Sequence, residues 1–154
     1  MPETESKSVG VPNWLPWATT IASLAGLADS IYLTIAHYTT PKLLACPHVS
    51  ILNCGKVTTS VYSSILGVPL AVLGLLFFIA VVPLQLPQAW RIKHPLIVWG
   101  RLAMASSGIV MIFWLVYVEL FKLNAICVYC TAVHIITLIL FALTVFGTAL
   151  IEEA

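Results

Sequence analysis

The sequence predicts an all-α membrane protein, a four-transmembrane-helix bundle, from three observations. The 154 residues are 60% hydrophobic and only 8% charged, with a mean hydropathy of +1.03, more apolar surface than a soluble core of this size can hide. The apolar residues gather into four stretches long enough to cross about 30 Å of hydrocarbon at about 1.5 Å per helical residue. The breaks between them carry proline, polar residues or charge. A net charge of +1 gives no electrostatic ground for nucleic-acid binding or for a strongly basic membrane-binding patch.

The first span is read at residues 17–38. It follows Pro12-Asn13-Trp14-Leu15-Pro16-Trp17, whose two tryptophans suit the membrane interface. The acidic leader from Met1 to Lys7 lacks the basic region and small-residue cleavage site of a signal peptide, so the span is expected to be retained behind an N-terminal tail, residues 1–13. A polar loop at 39–63 leads to the second span at 64–84. The link Gln85 to Pro95, punctuated by Pro87 and Pro95, suits a connection between antiparallel helices. The third span covers 96–121, a short turn runs from Lys122 to Ile126, the fourth span covers 127–150, and 151–154 form a tail.

Four spans put both termini on one side and all four cysteines on the other. Lys7, Arg91, Lys93 and Arg101 stand on the terminal side against Lys42, Lys56 and Lys122 opposite, a small excess that turns the termini toward the cytoplasm. Paired cysteines in an exposed loop persist as disulfides in an oxidising compartment and not in the cytosol. The expected location is therefore the cell inner (cytoplasmic) membrane, with the cysteines on its periplasmic or outer face. No internal repeat or low-complexity tract divides residues 14–150, which read as one redox domain.

Cys127-Val128-Tyr129-Cys130 opens the last span. Two thiols separated by two residues at a helix start can close a disulfide, and the helix dipole favours the thiolate of the first. With Asn124 as the cap, Cys127 falls in the first turn, Cys130 lies about 4.5 Å deeper and His134 about 6 Å deeper again. Spacings of three and four put these three residues on one face, directed into the bundle or a cavity. The competing reading is a pair of small buried thiols filling a helix interface.

Cys46 and Cys54 flank a seven-residue stretch, Pro47 to Asn53, long enough to close without distorting a disulfide. That bridge could be a static staple, or it could exchange with the second pair through a mixed disulfide. Four cysteines with one short pair also raise a zinc site, but structural zinc usually brings two short-spaced ligand pairs, so no metal is assigned. His134 could serve a ligand or bond a neighbouring helix. Asp29, inside the first span, is read chiefly as a packing hydrogen bond, with a proton path as the alternative. Glu119 is expected at the interface.

With these residues in view, the chain resembles the vitamin K epoxide reductase family in its bacterial form. The resemblance covers residues 14–150. It rests on the loop pair Cys46 and Cys54, then Ser60-Val61-Tyr62-Ser63-Ser64-Ile65-Leu66-Gly67-Val68-Pro69 with Gly74, then Cys127-Val128-Tyr129-Cys130, with Ala28-Asp29-Ser30-Ile31-Tyr32-Leu33 in the first span. Another four-span, quinone-linked disulfide catalyst carries its short pair first and its wide pair second; here the order is reversed.

The resemblance implies a quinone-dependent, disulfide-forming oxidoreductase, with a short half-helix in the outward loop. Electrons would pass from a separate thioredoxin-like (DsbA-like) periplasmic oxidoreductase to Cys46/Cys54, from Cys54 to Cys127, and from Cys130 to a quinone of menaquinone, phylloquinone or ubiquinone type. Some bacterial members carry a fused thioredoxin-like domain; this chain stops at Glu152-Glu153-Ala154, so a separate partner is expected. Ser60 would sit on the half-helix shielding the site, Ser63 and Gly67 near the quinone, and His134 within hydrogen-bonding reach of it. Ser63 stands where vertebrate members place an asparagine and His134 where they place a tyrosine; both retain hydrogen-bonding ability. These departures favour thiol–quinone exchange over reduction of a vitamin K quinone or epoxide as the main role. Two other functions compete with it. A carrier of reducing equivalents across the membrane would need a cysteine near the cytoplasmic face, and a non-catalytic tetraspan protein would keep its disulfides as redox-inert staples.

Overall fold

Hydrocarbon offers a backbone no hydrogen-bond partner, so a chain this apolar satisfies its peptide groups within helices. The computed structural model describes residues 10–40, 44–47 and 49–152. The expected tail ends at 1–9 and 153–154, and the residues Lys7, Lys42 and His48, lie outside the described residues. In chain order the elements are α1 (Trp14–Tyr38), a five-residue α2 (Cys54–Thr58), a 3-10 turn (Val61–Ser63), the strands β1 (Ser64–Ile65) and β2 (Val68–Pro69), α3 (Leu70–Gln85), α4 (Pro87–Arg91), α5 (Pro95–Tyr117) and α6 (Val128–Glu152). A π-helical turn, Val118–Leu123, extends α5.

The protein is a mostly helical membrane protein. Among the described residues three helices are long and apolar enough to cross a bilayer: Trp14–Tyr38, Pro95–Leu123 and Val128–Glu152. Their outer faces expose bulky apolar side chains such as Val110, Phe113 and Phe146, which lipid accommodates and water does not. The second expected span is shorter than the hydropathy suggests. Residues 64–69 form an antiparallel hairpin, pairing Ser64 with Pro69 and Ile65 with Val68, and the helix proper has 16 residues. Leu66 and Gly67 both adopt positive φ, 53° and 82°, the backbone of a two-residue hairpin turn. Pro69, with its fixed φ and no N–H, then serves as the cap of α3. Because Ile65, Leu66 and Val68 are apolar, hydropathy alone read this hairpin as membrane helix.

The other boundaries shift less. α1 begins at Trp14, taking both interfacial tryptophans into the helix. Within the expected link, Pro87 opens the short helix α4 and Pro95 opens α5, each at a first-turn position that needs no N–H. The expected cap of α6 is also corrected. Asn124 is left-handed, with φ 46°, and its N–H donates to Glu119 O, so it ends the preceding π turn; α6 starts only at Val128.

Small residues let the helices approach, as they do where lipid removes the hydrophobic drive between helices. At Gly26 of α1 a Cβ would overlap the Phe78 ring of α3, and at Gly147 of α6 it would overlap Leu15 and Trp90. The end of the bundle opposite the cysteines is closed by polar contacts. Arg101, buried in α5, donates to Leu84 O and Ala89 O at 2.9 Å each and stacks on Trp90 at 3.9 Å. Thr20 Oγ1 donates to Gln85 O at 2.8 Å, and Gln85 Nε2 to Thr144 Oγ1 at 2.9 Å. The carbonyls freed where α3 breaks into α4 thus find donors inside the bundle, as an apolar solvent requires.

Phe78 is only 1% exposed and cannot retreat, so Gly26→Ala is expected to destabilise the protein by about 1–3 kcal/mol through overpacking. Gly100 has open space before it, and Gly100→Ala should leave stability unchanged or slightly higher. Thermal unfolding of both variants in detergent tests the pair; equal midpoints would contradict the packing described.

Candidate functional site

All four cysteines meet at one end of the bundle. Cys46 and Cys54 form a disulfide, with Cα atoms 6.1 Å apart. Cys54 is the first residue of α2, which Asn53 caps by accepting the Lys56 N–H at 2.9 Å. Cys54 and Cys127 are both buried, in one apolar cluster with Leu33, Ala36 and Leu44, and Cys46 and Cys130 pack against it. Two backbone hydrogen bonds bring the loop to the start of α6: Asn53 N–H donates to Ile126 O at 3.1 Å, and Ile126 N–H to Ile51 O at 2.9 Å. Each cysteine of the central couple, Cys54 and Cys127, is therefore the residue directly after a bridged one.

Cys127 caps α6 rather than lying within its first turn. Its Sγ accepts the Cys130 N–H at 3.3 Å, and its carbonyl accepts both the N–H and the hydroxyl of Thr131 at 2.9 Å. The sulfur thus occupies the acceptor position usually filled by a serine or aspartate oxygen at a helix start. The Cys130 thiol, donating to Cys127, holds the Cys127 thiol below the ordinary thiol range against the opposing effect of burial, and the Cys130 N–H adds to the lowering.

Cys130 touches Cys127 and also borders a second space. It lies on the wall of a half-open cavity of about 380 Å³ lined by α1, α3, α5, α6 and the 57–63 segment. The walls are mostly apolar, from residues such as Leu33, Leu73, Phe77, Met111, Ile112 and Val133. Ser60, Ser63 and His134 also line this space, whereas Cys127 does not. The expected shared face therefore divides: Cys130 and His134 face the cavity, and Cys127 faces the disulfide loop. The volume and the apolar lining with few polar groups suit a planar ring compound of quinone size.

The remaining sequence-derived residues fall unequally around it. Ser60 caps the 3-10 turn rather than lying inside a helix; its hydroxyl donates to Val57 O at 3.0 Å, and the Ser63 hydroxyl donates to Ser60 O at 2.6 Å. Both protons are committed to the loop, which leaves only lone pairs for a ligand. The ring of His134, 6% exposed, makes no hydrogen bond to another described residue, so its N–H remains available. Gly67 is not on the cavity wall; it sits at the hairpin tip with open space around it, where its positive φ makes the turn. Asp29 Oδ2 is buried and finds no hydrogen bond among the described residues, so the packing bond expected there is missing at that oxygen.

Glu119 is corrected from interfacial to buried, with 6% exposure. It lines the cavity, and its carboxylate lies near the Cys127 backbone N–H. A carboxylate inside a long apolar helix was the available signal. The π turn that swings it inward has no sequence signature.

Compared with known proteins, residues 17–145 match the family model described as the vitamin K epoxide reductase family. No curated protein sequence matches the chain. The proteins of that family are membrane thiol and quinone oxidoreductases that work with thioredoxin-like partners.

A thiol whose folded pKa is lowered adds stability above the unfolded pKa and loses it as pH falls through the folded value. In a Cys46→Ser/Cys54→Ser variant, the ultraviolet thiolate absorbance should show one thiol titrating below the ordinary thiol range. Adding Cys130→Ala should move that titration upward. An unmoved titration would remove Cys130 as the cause.

Proposed function

The chain belongs to the vitamin K epoxide reductase family, and on that premise we propose that it is a four-span thiol–quinone oxidoreductase that regenerates a thioredoxin-like (DsbA-like) disulfide oxidase. In this reading α3 is the fourth span, the termini are cytoplasmic and the cysteines face the periplasmic or outer side of the inner membrane. The 16 residues of α3 reach about 24 Å at about 1.5 Å each, a short span that a locally thinned bilayer accommodates. Gly26 against Phe78, and Thr20 against Gln85, show α3 running antiparallel to α1.

The reduced partner first donates its dithiol to the Cys46–Cys54 disulfide and leaves oxidised. The Cys54 thiolate attacks Cys127 of an oxidised Cys127–Cys130 pair, and Cys130 departs as a thiolate, leaving a Cys54–Cys127 mixed disulfide. Cys46 then attacks Cys54, which restores the outer disulfide and leaves Cys127 and Cys130 reduced. That is the arrangement of the four sulfurs described above. The inner dithiol finally gives two electrons and two protons to a quinone, becoming a disulfide as the quinone becomes a hydroquinone.

One observation carries the reading. The backbone bridge at Ile126 holds the disulfide loop against Cys127, while Cys130, one helical turn on, opens into the apolar cavity. The two inner sulfurs thus serve different partners. His134 is assigned the hydrogen bond to a quinone oxygen, Ser60 and Ser63 shape the loop that covers the cavity, and Gly67 makes the hairpin that joins this loop to α3.

Purified protein should reduce a short-chain quinone at the expense of a dithiol donor. Cys46→Ser, which removes the thiol that resolves the mixed disulfide, should accumulate a Cys54–Cys127 link detectable by peptide mapping, and Cys130→Ala should lower quinone turnover at least about 100-fold. Unaltered quinone turnover in this variant would refute the assignment. His134→Ala should raise KM for the quinone and leave the trapped disulfide unaffected.

A further inference from the structure

Reducing a quinone with a dithiol moves two protons as well as two electrons, and hydrocarbon walls conduct no protons. The titratable groups on the cavity wall are His37, Tyr62, Glu119, Cys130 and His134. Glu119 stands beside the inner cysteine pair: it shares the cavity wall with Cys130, and its carboxylate lies near the Cys127 backbone N–H. The same residue organises the segment before Cys127: its carbonyl accepts the N–H groups of Asn124 and Ala125, the latter at 3.2 Å. The wide π turn buries Glu119, whereas its neighbours Leu120 and Phe121 are 49% and 70% exposed. Inserted turns of this kind re-aim a side chain at the cost of regular hydrogen bonding, and they recur at functional sites. Burying a carboxylate is expensive, and among the described residues no cationic side chain pairs with Glu119, so one nearby peptide N–H offsets only part of that cost.

We propose that Glu119 is the proton carrier of the inner dithiol, holding the proton that Cys127 gives up and delivering it to the quinone in the cavity. The proposal rests on the thiol–quinone reading above and adds a residue to it. In the balanced step the Cys127 and Cys130 S–H bonds break and one S–S bond forms. The quinone gains two electrons and two protons. One proton comes from the Cys130 thiol on the cavity wall, and the other passes from Cys127 to the Glu119 carboxylate and on to a quinone oxygen, returning Glu119 to its charged form. Glutamine at this position keeps an oxygen near the Cys127 N–H, but it cannot carry a proton.

The test uses the full chain in detergent, dithiothreitol as donor and a short-chain ubiquinone or menaquinone as acceptor. Glu119→Gln should lower kcat about 100-fold, within the range of a lost proton-transfer group, with KM for the quinone changed by no more than about twofold. Glu119→Asp should recover most of the loss. The Cys54–Cys127 link should still form, given time with quinone, in a Glu119→Gln/Cys46→Ser double variant, showing the thiol relay intact. Wild-type kcat should also fall in deuterated water, a measurement that needs no variant and stands if Glu119→Gln fails to fold. Wild-type turnover by Glu119→Gln, or a wild-type rate indifferent to deuterium, overturns the proposal. A loss not recovered by aspartate and joined by loss of the Cys54–Cys127 link also overturns it, marking Glu119 as structural. Absence of any quinone reduction by the wild type instead refutes the thiol–quinone reading itself.

Discussion

The Asn53 N–H to Ile126 O and Ile126 N–H to Ile51 O bonds, at 3.1 and 2.9 Å, join a polar loop to the start of a membrane helix. Everything at the cysteine end depends on them. Without this bridge the loop carrying the Cys46–Cys54 disulfide would be an independent closed ring, and Cys127 would cap α6 with no defined neighbour. With it, Cys54 and Cys127 enter the same apolar cluster as Leu33, Ala36 and Leu44. Ile51 and Asn53 are exposed, so each bond adds only about 0.5–1.5 kcal/mol net; what the bridge supplies is register, and pairing an irregular backbone is a problem that every helix break poses.

The two ends of the bundle solve that polar-group problem differently. Opposite the cysteines, buried Arg101, Gln85, Thr20 and Thr144 supply side-chain donors and acceptors to the broken backbone between α3 and α4. At the cysteine end, backbone pairs with backbone across the loop, the hairpin turns on Leu66 and Gly67, and a π turn closes on Asn124. A polar end tied by side chains and close glycine contacts along the helices leave the irregular geometry to the end that carries the four cysteines.

That irregularity separates two thiols only three residues apart. Cys127, before the helix, accepts from Cys130 and faces the loop; Cys130, inside it, faces the cavity with His134. A regular helix beginning earlier would have put both sulfurs on the same face. The delayed start at Val128 follows from Asn124 terminating the previous helix, and it makes the pair directional.

Much of this was legible in the residues. Hydropathy located the long helices to within a few positions, because hydrocarbon-crossing length and composition are local properties. The spacing Cys127-Val128-Tyr129-Cys130 and the loop pair marked the candidate redox groups, because a disulfide needs only two thiols within reach. The hairpin at 64–69 was not legible: its residues are as apolar as the helix that follows, and only the left-handed backbone at Leu66 and Gly67 distinguishes it. Nor was the inward turn of Glu119, which depends on the π-helical register. By itself, then, the sequence determined a helical membrane chain and which four sulfurs could exchange electrons. Which sulfur meets the loop, which meets the cavity and which carboxylate stands beside them were decided by tertiary structure, because long-range backbone pairing sets the helix ends, and the helix ends aim the side chains.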